Sequence, residues 1–467
     1  MAPPDPPPLH QGMNHVSLSD LPFPKLSRVV VASVLLFGLT GCELFTSTPP
    51  AEEDDTPEEP AVDYAALEEP AVKVLREYLG ENNFDSRVVF NDEGSVTRVD
   101  MTDIEFPNSE LHIFTELPNL ERVTIWGAGV TDEGMDEVAK LKQISHLTLF
   151  NTEITADGLA KLQPLAGNLR MLNLRRSTYL TDDGLAQLSA FEDLAQLDLL
   201  YNHFSDEALT HVAKLPKLRV LDLRGCVVIT DYGLEKISGM QQLQALKLFN
   251  PGVTDQGMNV IGNFKDMKVL FVQNASITDE GLKPLAGMTK LEDLTLYQLF
   301  GITDEGLANL SGMNALTSLS LCDNRINGSG LQHLSGAKGL TQLNISETDT
   351  NNDGLVHLKD HTSLERLDLW LTPIDDEGLK HLEGLKNLTW LSLAQTNISN
   401  DGLESLTKLE NLQNLNLQEA KIDDEGLMQL ASLKNLTTLN VSGIPKVTNE
   451  GIAALKEKLP NLNNVTQ

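Results

Sequence analysis

Leucines, a glycine and an aspartate recur at fixed spacing along most of this chain, and such a chain cannot fold around one central core. One copy runs from Leu291 to Leu310 and another from Leu364 to Leu382, with the pattern L-x-x-L-x-L-x5-6-[IV]-[TD]-D-x-G-L-x-x-L. Copies start 24 or 25 residues apart, with a last step of 26. Each unit packs only on its neighbours, so the array can exceed the size of a single core. The copies open at Leu120, Ile144, Leu169, Leu194, Leu218, Leu243, Met267, Leu291, Leu316, Leu340, Leu364, Leu388, Leu412 and Leu436, and a partial unit opens at Leu462.

Each position of the unit predicts a local structure. The second and third leucines alternate with polar residues, which predicts a strand with one face turned to the core. The Thr-Asp or Asp-Asp pair predicts the start of a helical turn, because these side chains cap free N–H groups. Leucines three apart, as in Leu159, Leu162 and Leu165, are predicted to face the core from that helix. The glycine is predicted to permit close approach between turns, at Gly134, Gly158, Gly184, Gly233, Gly281, Gly306 and Gly378.

This unit resembles the leucine-rich repeat, in the bacterial and ribonuclease-inhibitor-like variety that carries T-D-x-G-L, over residues 96–467. The resemblance implies an α/β right-handed solenoid, with a parallel sheet on the concave face and short helices on the convex face. The array then spans residues 120–467 in about 14 repeats. Many family members have Asn in the turn after the strand. In this chain only two residues at that position, Asn202 and Asn324, are Asn. We therefore expect weaker or different bonds to hold this loop.

Residues 63–119 are predicted to form an N-terminal cap, because the end of a solenoid exposes its core. A turn signal at residues 92–94 and a degenerate first repeat from Val96 fall within this cap. A loose helical stripe that ends at Gly80 consists of Ala65, Leu67, Val72, Leu75 and Leu79.

Residues 1–41 resemble the signal peptide of a bacterial lipoprotein. Lys25 and Arg28 precede an apolar run, residues 29–39, that is too short to span a membrane comfortably. Leu39-Thr-Gly-Cys42 matches the lipobox of that family, in which the cysteine is lipidated and becomes the first mature residue. Glu43 stands where Asp is associated with inner-membrane retention, so the resemblance favours the outer membrane. An ordinary signal peptide with an incidental cysteine is the alternative.

The segments around this signal carry little structural information. Residues 1–12 are rich in proline, and either Met1 or Met13 can be the start of the protein. Residues 42–62 contain few apolar residues and charges of one sign, which predicts an extended, disordered tether.

Composition and motifs argue against several classes of function. The 67 acidic and 35 basic residues give a net charge of −32, whereas nucleic-acid binding requires a basic surface. Cys226 and Cys322 lie four repeats apart, too far for a disulfide. No nucleophile elbow, phosphate-binding loop, dinucleotide fingerprint or metalloprotease helix occurs in the sequence. We therefore expect no enzymatic activity and no cofactor.

Two polar columns could be taken for metal ligands. His211, His333, His357 and His381 would be spread along the convex side, so their side chains do not converge and no metal site is predicted. An aspartate column could hold cations between repeats, but its place at each helix start favours capping. This column is Asp132, Asp182, Asp206, Asp231, Asp255, Asp279, Asp304, Asp376, Asp401 and Asp424.

The candidate binding site comes from residues that the repeat leaves free. The strand position after the third conserved apolar residue is expected to face the concave surface or its rim. Aromatic residues are only 5% of the chain, yet they and arginine gather on this line. Exposed rings and arginines dominate interface energies, although rings can also stack on one another and close a surface. The predicted partner-binding residues are Trp126, Phe150, Arg175, Arg176, Tyr201, Arg224, Phe249, Phe271, Tyr297 and Trp370.

Three functions are compatible with this organisation. The favoured one is a monomeric, non-enzymatic, lipid-anchored envelope protein that binds a protein or peptide on its concave face, where Arg175, Arg176 and Arg224 contact carboxylates or phosphates. The second is an acidic envelope scaffold or spacer without a discrete ligand. The third follows from the similarity of T-D-x-G-L repeats to the substrate-recognition repeats of ubiquitin-ligase adaptors, but the lipobox and the lack of an F-box-like segment argue against it. Glycan binding is also open, since sugars stack on such rings.

We expect a Cys42→Ala protein to leave the membrane fraction when cells are fractionated. Acyl chains stabilise membrane association by about 0.8 kcal/mol per buried CH₂, and the variant cannot carry them on this sulfur. The wild-type protein is the control, and persistent membrane retention of the variant would argue against the anchor.

Overall fold

The alternating leucines of each repeat form a short strand, and the strands join into one 17-stranded sheet. The computed structural model describes residues 62–467, so the predicted signal peptide, Cys42 and nearly all of the tether lie outside the described range. β1 (Val88–Phe90) and β2 (Val96–Asp100) form an antiparallel hairpin. From β2 onwards, each strand pairs in parallel with the strand of the next repeat. The predicted α/β solenoid is confirmed.

Fifteen further strands, β3 to β17, continue the sheet in chain order. They are Arg122–Trp126, His146–Phe150, Met171–Asn173, Gln196–Asp198, Val220–Asp222, Ala245–Phe249, Val269–Gln273, Asp293–Tyr297, Ser318–Ser320, Gln342–Asn344, Arg366–Asp368, Trp390–Ser392, Asn414–Asn416, Thr438–Asn440 and Asn464–Thr466.

Short helices connect the strands. The α-helices α1 to α13 are Tyr64–Leu79, Glu81–Arg87, Met135–Val138, Ala156–Lys161, Ala208–Val212, Asp231–Lys236, Asp255–Ile261, Asp279–Leu282, Asn352–Leu355, Asp376–Leu379, Leu403–Leu406, Asp424–Gln429 and Asn449–Lys458. The 3-10 helices are Asn108–Glu116, Gln163–Leu165, Asp183–Ala190, Lys283–Gly287, Gly306–Leu310, Ser329–Gly336, Val356–Leu358, Lys380–Leu382, Asn400–Gly402 and Leu430–Ser432.

The core is a continuous stack of leucines between the sheet and the helices. Pairing keeps equivalent residues opposite one another, as in Leu147 with Leu172. The helical leucines Leu159, Leu162 and Leu165 are at most 1% exposed, as predicted. Truncation of such a residue to Ala typically costs about 2–5 kcal/mol of unfolding free energy.

The N-terminal cap differs from its prediction in one respect. Helix α1 ends at Leu79 before Gly80, as predicted, but Ala65 and Leu67 of the predicted stripe are exposed. The face that turns inward instead contains Glu68, Ala71, Leu75 and Leu79. The helix is rotated because the buried Glu68 carboxylate accepts hydrogen bonds from Ser95 Oγ (2.5 Å) and Val96 N (2.7 Å) at the start of β2.

In almost every repeat, the residue that directly follows the strand-end position has a left-handed backbone conformation. We call this set of residues the turn row. Its members in the array are Gly127, Asn151, Arg176, Tyr201, Gly225, Asn274, Gln298, Asp323, Glu347, Leu371, Gln395, Glu419 and Gly443, all with positive φ. Their N–H groups continue the sheet, since Asn151 N donates to Arg175 O and Arg176 N donates to Leu200 O. The fold therefore places each turn-row side chain at the rim of the concave face.

The loop after the turn row is held by several kinds of bond, as the scarcity of Asn predicted. Asn202 Nδ2 donates to the carbonyls of Leu174 and Leu199, and so bridges two repeats. Thr372 and Thr396 reach only a carbonyl of their own repeat. Among the shorter side chains, Ser177 and Cys226 each reach a carbonyl of the preceding repeat, whereas these two threonines do not connect repeats.

The aspartate column has a different role from the predicted helix capping. Thr155 caps its own helix by accepting from Asp157 N, whereas the Asp132 carboxylate accepts from Thr155 N (2.7 Å) and Thr155 Oγ1 (2.6 Å) of the next repeat. We call this contact the carboxylate bridge. It recurs through Asp182, Asp206, Asp231, Asp255, Asp279, Asp304, Asp376 and Asp424, each of which accepts from the following repeat.

Asp401 is not a member of this column, which corrects the sequence assignment. Its neighbour Asn400 holds the equivalent position and bonds to Asp423 in the next repeat, and Asn352 bonds to Asp375 in the same way. The segment Ser399-Asn-Asp-Gly402 has Asn at the position where most copies have Asp. Its aspartate, Asp401, therefore lies one residue after the bridging position. Two joints lack the bridge because Ala156 and Gly328 occupy this position.

The bridge also explains the glycine of the repeat. A Cβ at Gly158 would overlap Oδ1 of Asp132, so the predicted close approach is confirmed there. At Gly184 the preceding repeat supplies Ala156 instead, and a Cβ would lie 3.4 Å from its Cβ. At Gly158 the need for glycine therefore follows from the Asp132 carboxylate, whereas at Gly354 it follows from the backbone of Gly328, whose Cα would lie 2.8 Å from a Cβ. Ala208 stands at the glycine position opposite the Asp182 bridge, so the requirement is not the same at every joint. Separately, no helix among residues 62–467 combines the length and apolar character needed to cross a membrane.

We expect Asp132→Ala to lower the unfolding free energy by about 1–3 kcal/mol, because it removes charge-assisted hydrogen bonds between repeats. Gly158→Ala should cost about 1–3 kcal/mol in the wild type but much less in the Asp132→Ala background, since the overlapping carboxylate is then absent. Urea unfolding of the four proteins measures this coupling. Gly184→Ala is the matched control and should cost little; equal costs at Gly158 and Gly184 would contradict the explanation.

Candidate binding surface on the concave face

The outward strand residues form three rows across the concave face. Seven of the ten predicted residues lie on the row at the ends of the strands: Trp126, Phe150, Arg175, Arg224, Phe249, Tyr297 and Trp370. Arg176 and Tyr201 belong to the turn row, and Phe271 lies on the middle row, in register with Lys247 of the preceding strand. Neighbouring strands are about 4.8 Å apart, so residues on one row can touch only across adjacent or next-adjacent strands.

Six of the predicted residues come together, and we call them the arginine–aromatic cluster: Phe150, Arg175, Arg176, Tyr201, Arg224 and Phe271. The Arg175 guanidinium lies 4.7 Å from the centre of the Phe150 ring and 5.3 Å from that of Tyr201. Arg176 lies 5.5 Å from the Tyr201 ring, and Arg224 lies 5.2 Å from the Phe271 ring. The rings therefore hold the guanidinium groups by cation–π contacts, which also cover part of each ring.

Tyr201 is supported from below by the next repeat. Its ring lies against Gly225, where any Cβ would collide with it, and Gly225 itself has φ of 78°. Only glycine fits this position, because it provides both the left-handed backbone and the space for the ring. The cluster is thus built into the turn row as well as the strands.

Arg175 is held in place without an anionic partner. Within residues 62–467 its guanidinium forms no ion pair, and its Nε is buried without a hydrogen-bond partner. Burial, together with the charges of Arg176 and Arg224, lowers the pKa of Arg175 below its ordinary value. A positively charged group that is fixed by rings but unpaired is suited to receive an acidic group from another molecule.

Arg224 differs because a carboxylate already holds it. Arg224 Nη2 donates to Asp222 Oδ2 at 2.7 Å, and Arg224 Nε donates to both carboxylate oxygens at 3.0 and 3.1 Å. Asp222 is only 3% exposed, so this pair is a structural unit of the surface. Loss of Arg224 would leave a buried charge unpaired, which is strongly destabilising.

A second buried carboxylate lies beside this pair. Asp198 is in register with Asp222 on the next strand and accepts from Gln196 Nε2 at 3.0 and 3.1 Å and from Asn173 Nδ2 at 3.3 Å. Burial and the neighbouring Asp222 raise the pKa of Asp198 to about 6. The concave face therefore becomes less negative in mildly acidic solution, because Asp198 takes up a proton there.

The sequence analysis missed Asp198, Asp222 and Lys247. All three lie on the middle row, two residues before the row that drew attention through its aromatic residues. Their signal was present, because side chains two apart on a strand share a face. The occurrence of charged residues at this position in consecutive repeats could have identified the charged middle row beside the cluster.

Four predicted residues make no ring or cation–π contact with the cluster in the described repeats, although Trp126 is in register with Phe150 and Phe249 lies on β8 within its span. No cation–π or ring–ring contact within residues 62–467 joins Trp126, Phe249, Tyr297 or Trp370 to it. Trp370 is roughly 29 Å from Arg224, since six strand intervals of about 4.8 Å separate them. Burial and the nearby Cys322 and Glu347 raise the pKa of Tyr297 to about 12, so its hydroxyl stays protonated.

The rings of the concave face do not stack closed on one another. In the described part of the chain, the ring pairs are Tyr78–Phe106, Phe84–Phe90 and Phe106–Phe114, all in the N-terminal cap. Phe150, Tyr201 and Phe271 are half-buried, with arginine over them, and Trp370 is 37% exposed. The sequence offered two alternatives, rings that are exposed and rings that stack on one another. Both are incomplete, because arginines cover part of each ring and leave the rest accessible.

Comparisons with known proteins agree with this architecture. A family model described as "Leucine Rich repeat" matches residues 214–238, 360–382 and 408–431. Each of these segments falls within the repeat array of the structure. No curated protein matches its sequence. Cys226 and Cys322 are both free, and no group of three or more His, Cys, Asp or Glu side chains in the described repeats and cap is arranged to hold a metal ion.

Several solved structures are similar to this chain. An internalin from Listeria monocytogenes is 18% identical, with a TM-score of 0.48 over 87% of this chain and 97% of that one. A leucine-rich repeat protein of Leptospira interrogans is also 18% identical, with a TM-score of 0.48 over 84% and 97%. A chain from the Rad7–Elc1 complex in yeast is 20% identical, with a TM-score of 0.45 over 66% and 82%.

We expect Asp198→Asn to stabilise the protein above the pKa of Asp198. The folded-state pKa of about 6 exceeds the ordinary value of 3.8, so the wild type loses unfolding free energy as pH rises through this window. The amide does not titrate, and the variant should therefore gain roughly 1–3 kcal/mol relative to wild type across the window. Urea unfolding at several pH values tests this. Asp360→Asn, which removes an exposed carboxylate, is the control and should show no such rise.

Proposed function

We propose that this protein is a non-enzymatic recognition protein of the bacterial envelope, anchored by lipid on Cys42, which binds a protein or peptide partner as a monomer. The partner contacts the arginine–aromatic cluster on the concave face. The observation that carries this proposal is Arg175, whose guanidinium is positioned by the Phe150 and Tyr201 rings but forms no ion pair within residues 62–467.

The scaffold supports binding of a macromolecule. Leucine-rich repeat domains commonly bind protein partners, and the repeat leaves the concave side chains free to vary. The cluster extends from Phe150 on β4 to Phe271 on β9, which is roughly 24 Å at about 4.8 Å per strand. Such an extended surface suits a protein or peptide better than a small molecule, which prefers an enclosed pocket.

The charges of the surface favour an acidic group on the partner. Arg122, Arg175, Arg176 and Lys247 form no ion pairs within the described repeats, although the protein as a whole carries a net charge of −32. Arg175 and Arg176 are consecutive residues, and their unpaired guanidinium groups lie 5.3 and 5.5 Å from the centre of the Tyr201 ring, where either can donate to a carboxylate. We therefore propose Asp or Glu side chains, or a terminal carboxylate, as the anchoring contacts of the partner.

The envelope location is supported by the sequence. The basic flank, apolar run and Leu39-Thr-Gly-Cys42 motif occur together, and an acidic segment rich in proline separates Cys42 from the first helix. A tether of this composition would let the solenoid extend from a membrane surface. Glu43 favours the outer membrane within this proposal.

We expect the double replacement Arg175→Gln and Arg176→Gln to abolish capture of the partner from a crosslinked envelope extract. With the purified partner, affinity should fall by about 30-fold or more, the size of an interface hot spot. The variant should keep its urea unfolding midpoint, because neither guanidinium is tied to a carboxylate.

Lys359→Gln with Lys408→Gln is the matched control, since it removes two exposed positive charges elsewhere. This control should retain full binding. An identical set of captured proteins for wild type and the cluster variant would favour a scaffold without a discrete ligand at this surface. Arg224 is unsuitable for the test because it also stabilises the buried Asp222.

A further inference from the structure

A second surface, unlike the arginine–aromatic cluster, lies on the rim at β10 to β13. An open cleft of about 420 Å³ runs across four successive turns, with Phe300 at one end and Leu371 at the other. Asp323, Glu347 and Asp349 line its length, together with Arg325. We call this feature the rim cleft. Three repeat intervals separate its ends, roughly 14 Å at about 4.8 Å each.

The two ends of the rim cleft are exposed apolar side chains. Phe300 is 51% exposed and Leu371 is 47% exposed, and Trp370 beside Leu371 is 37% exposed. The Trp370 indole is fixed by donation of its Nε1–H to Gln395 Oε1 at 2.9 Å. Large apolar groups that are held in place around one concavity indicate an interaction surface, whereas scattered ones do not.

Leu371 is unfavourable in its own position. It has φ of 53°, in the left-handed region that an aliphatic side chain rarely adopts. Every other left-handed turn-row residue in the described array is Gly, Asn, Gln, Asp, Glu, Arg or Tyr. Asn or Gly would relieve the backbone strain and remove exposed apolar surface at the same time. Stability alone therefore does not account for leucine at this position.

The middle of the rim cleft is negatively charged. Asp323, Glu347 and Asp349 form no ion pairs within the repeats that the structure describes. Asp323 accepts only from Gln298 Nε2 at 3.0 Å, and Glu347 accepts from Cys322 Sγ at 3.8 Å. Partial burial, Asp323 and Asp368 raise the pKa of Glu347 above its ordinary value. With Arg325 as the one base, the lining has an excess of negative charge.

We propose that the rim cleft docks a short basic segment of a protein partner. A Lys or Arg side chain enters between the carboxylates of Asp323, Glu347 and Asp349, and apolar residues on either side of it pack against Phe300 and Leu371. An extended chain advances about 3.3 Å per residue, so roughly four residues span the cleft. Charge complementarity selects the basic residue, and the apolar ends select its neighbours.

This site is independent of the concave cluster. The cluster lies on β4 to β9, carries unpaired guanidinium groups and favours an acidic group. The rim cleft lies on turns of later repeats and carries unpaired carboxylates. The Arg175→Gln, Arg176→Gln protein should therefore bind the basic probe of the rim cleft as the wild type does, so the two proposals can fail separately.

Fluorescence anisotropy with labelled synthetic hexapeptides tests the proposal. Each peptide has leucines at its flanks and either two arginines, two glutamines or two glutamates in the centre. We expect the arginine peptide to bind wild-type protein at least ten-fold more tightly than either other peptide, and its affinity to fall as salt is added. Equal binding of the three peptides would overturn the proposal.

Two variants separate the charged and apolar contributions. Glu347→Gln with Asp349→Asn should weaken binding of the arginine peptide at least ten-fold, while the exposed pair Glu404→Gln with Glu410→Gln, which changes net charge equally, should not. Leu371→Asn should also weaken binding at least ten-fold, with an unfolding midpoint in urea that is unchanged or higher. Unchanged peptide binding by Leu371→Asn would overturn the assignment.

The rim cleft could also be occupied by a second copy of this chain, and this alternative must be distinguished from a basic segment of a partner. Sedimentation velocity of the wild type should show a monomer at the concentrations used for anisotropy. Self-association that is lost in Leu371→Asn would overturn the proposal, because the rim cleft would then be an interface between copies.

Discussion

The carboxylate that each repeat extends to the next sets the geometry on which the solenoid depends. Asp132 accepts from both the backbone and the hydroxyl of Thr155, and the same contact recurs along the array. One group thus connects neighbouring turns, orients the Thr that caps the following helix and leaves no room for a Cβ at Gly158. At this joint Asp132, Thr155 and Gly158 therefore fit together as a set, whereas the Asp182 bridge to Ser205 coexists with Ala208 at the glycine position. Leucine burial supplies most of the stability, but it is non-directional and cannot by itself fix how one repeat sits on the next.

Much of this architecture could be predicted from the sequence because the repeat signal is summed over many copies. The parallel sheet, the buried helical leucines and the need for close approach at glycine all followed from periodicity. The partner of each Asp did not, since spacing within one repeat says nothing about which neighbour a side chain reaches. Asn400 was missed for a related reason: a residue can replace another in a hydrogen bond without resembling it in a pattern. Glu68 likewise rotated helix α1, because an apolar stripe does not anticipate a buried carboxylate.

The candidate surfaces, like the fold, could be predicted from the sequence only in part. The rows that hold Phe150, Arg175 and Arg224 could be identified because the repeat does not dictate their side chains. Their grouping could not, because it depends on how long side chains cross between strands. Arg175 reaches rings on both sides, whereas Trp370 makes no such contact and is not among the residues that line the rim cleft. The turn row contributes to both surfaces, through Arg176 and Tyr201 in the cluster and through Asp323, Glu347 and Leu371 in the rim cleft.

The two joints that lack a carboxylate bridge have an energetic consequence. One lies between the repeats of Ala156 and Thr181, beneath Phe150 and Arg175, and the other lies between those of Gly328 and Asn351, beneath the rim cleft. The stability of a repeat array is approximately a sum of contributions from each repeat and from each interface between neighbours. Both candidate surfaces span a joint whose interface lacks this side-chain contact. Each surface therefore lies over an interface with fewer stabilising hydrogen bonds than the bridged joints between them.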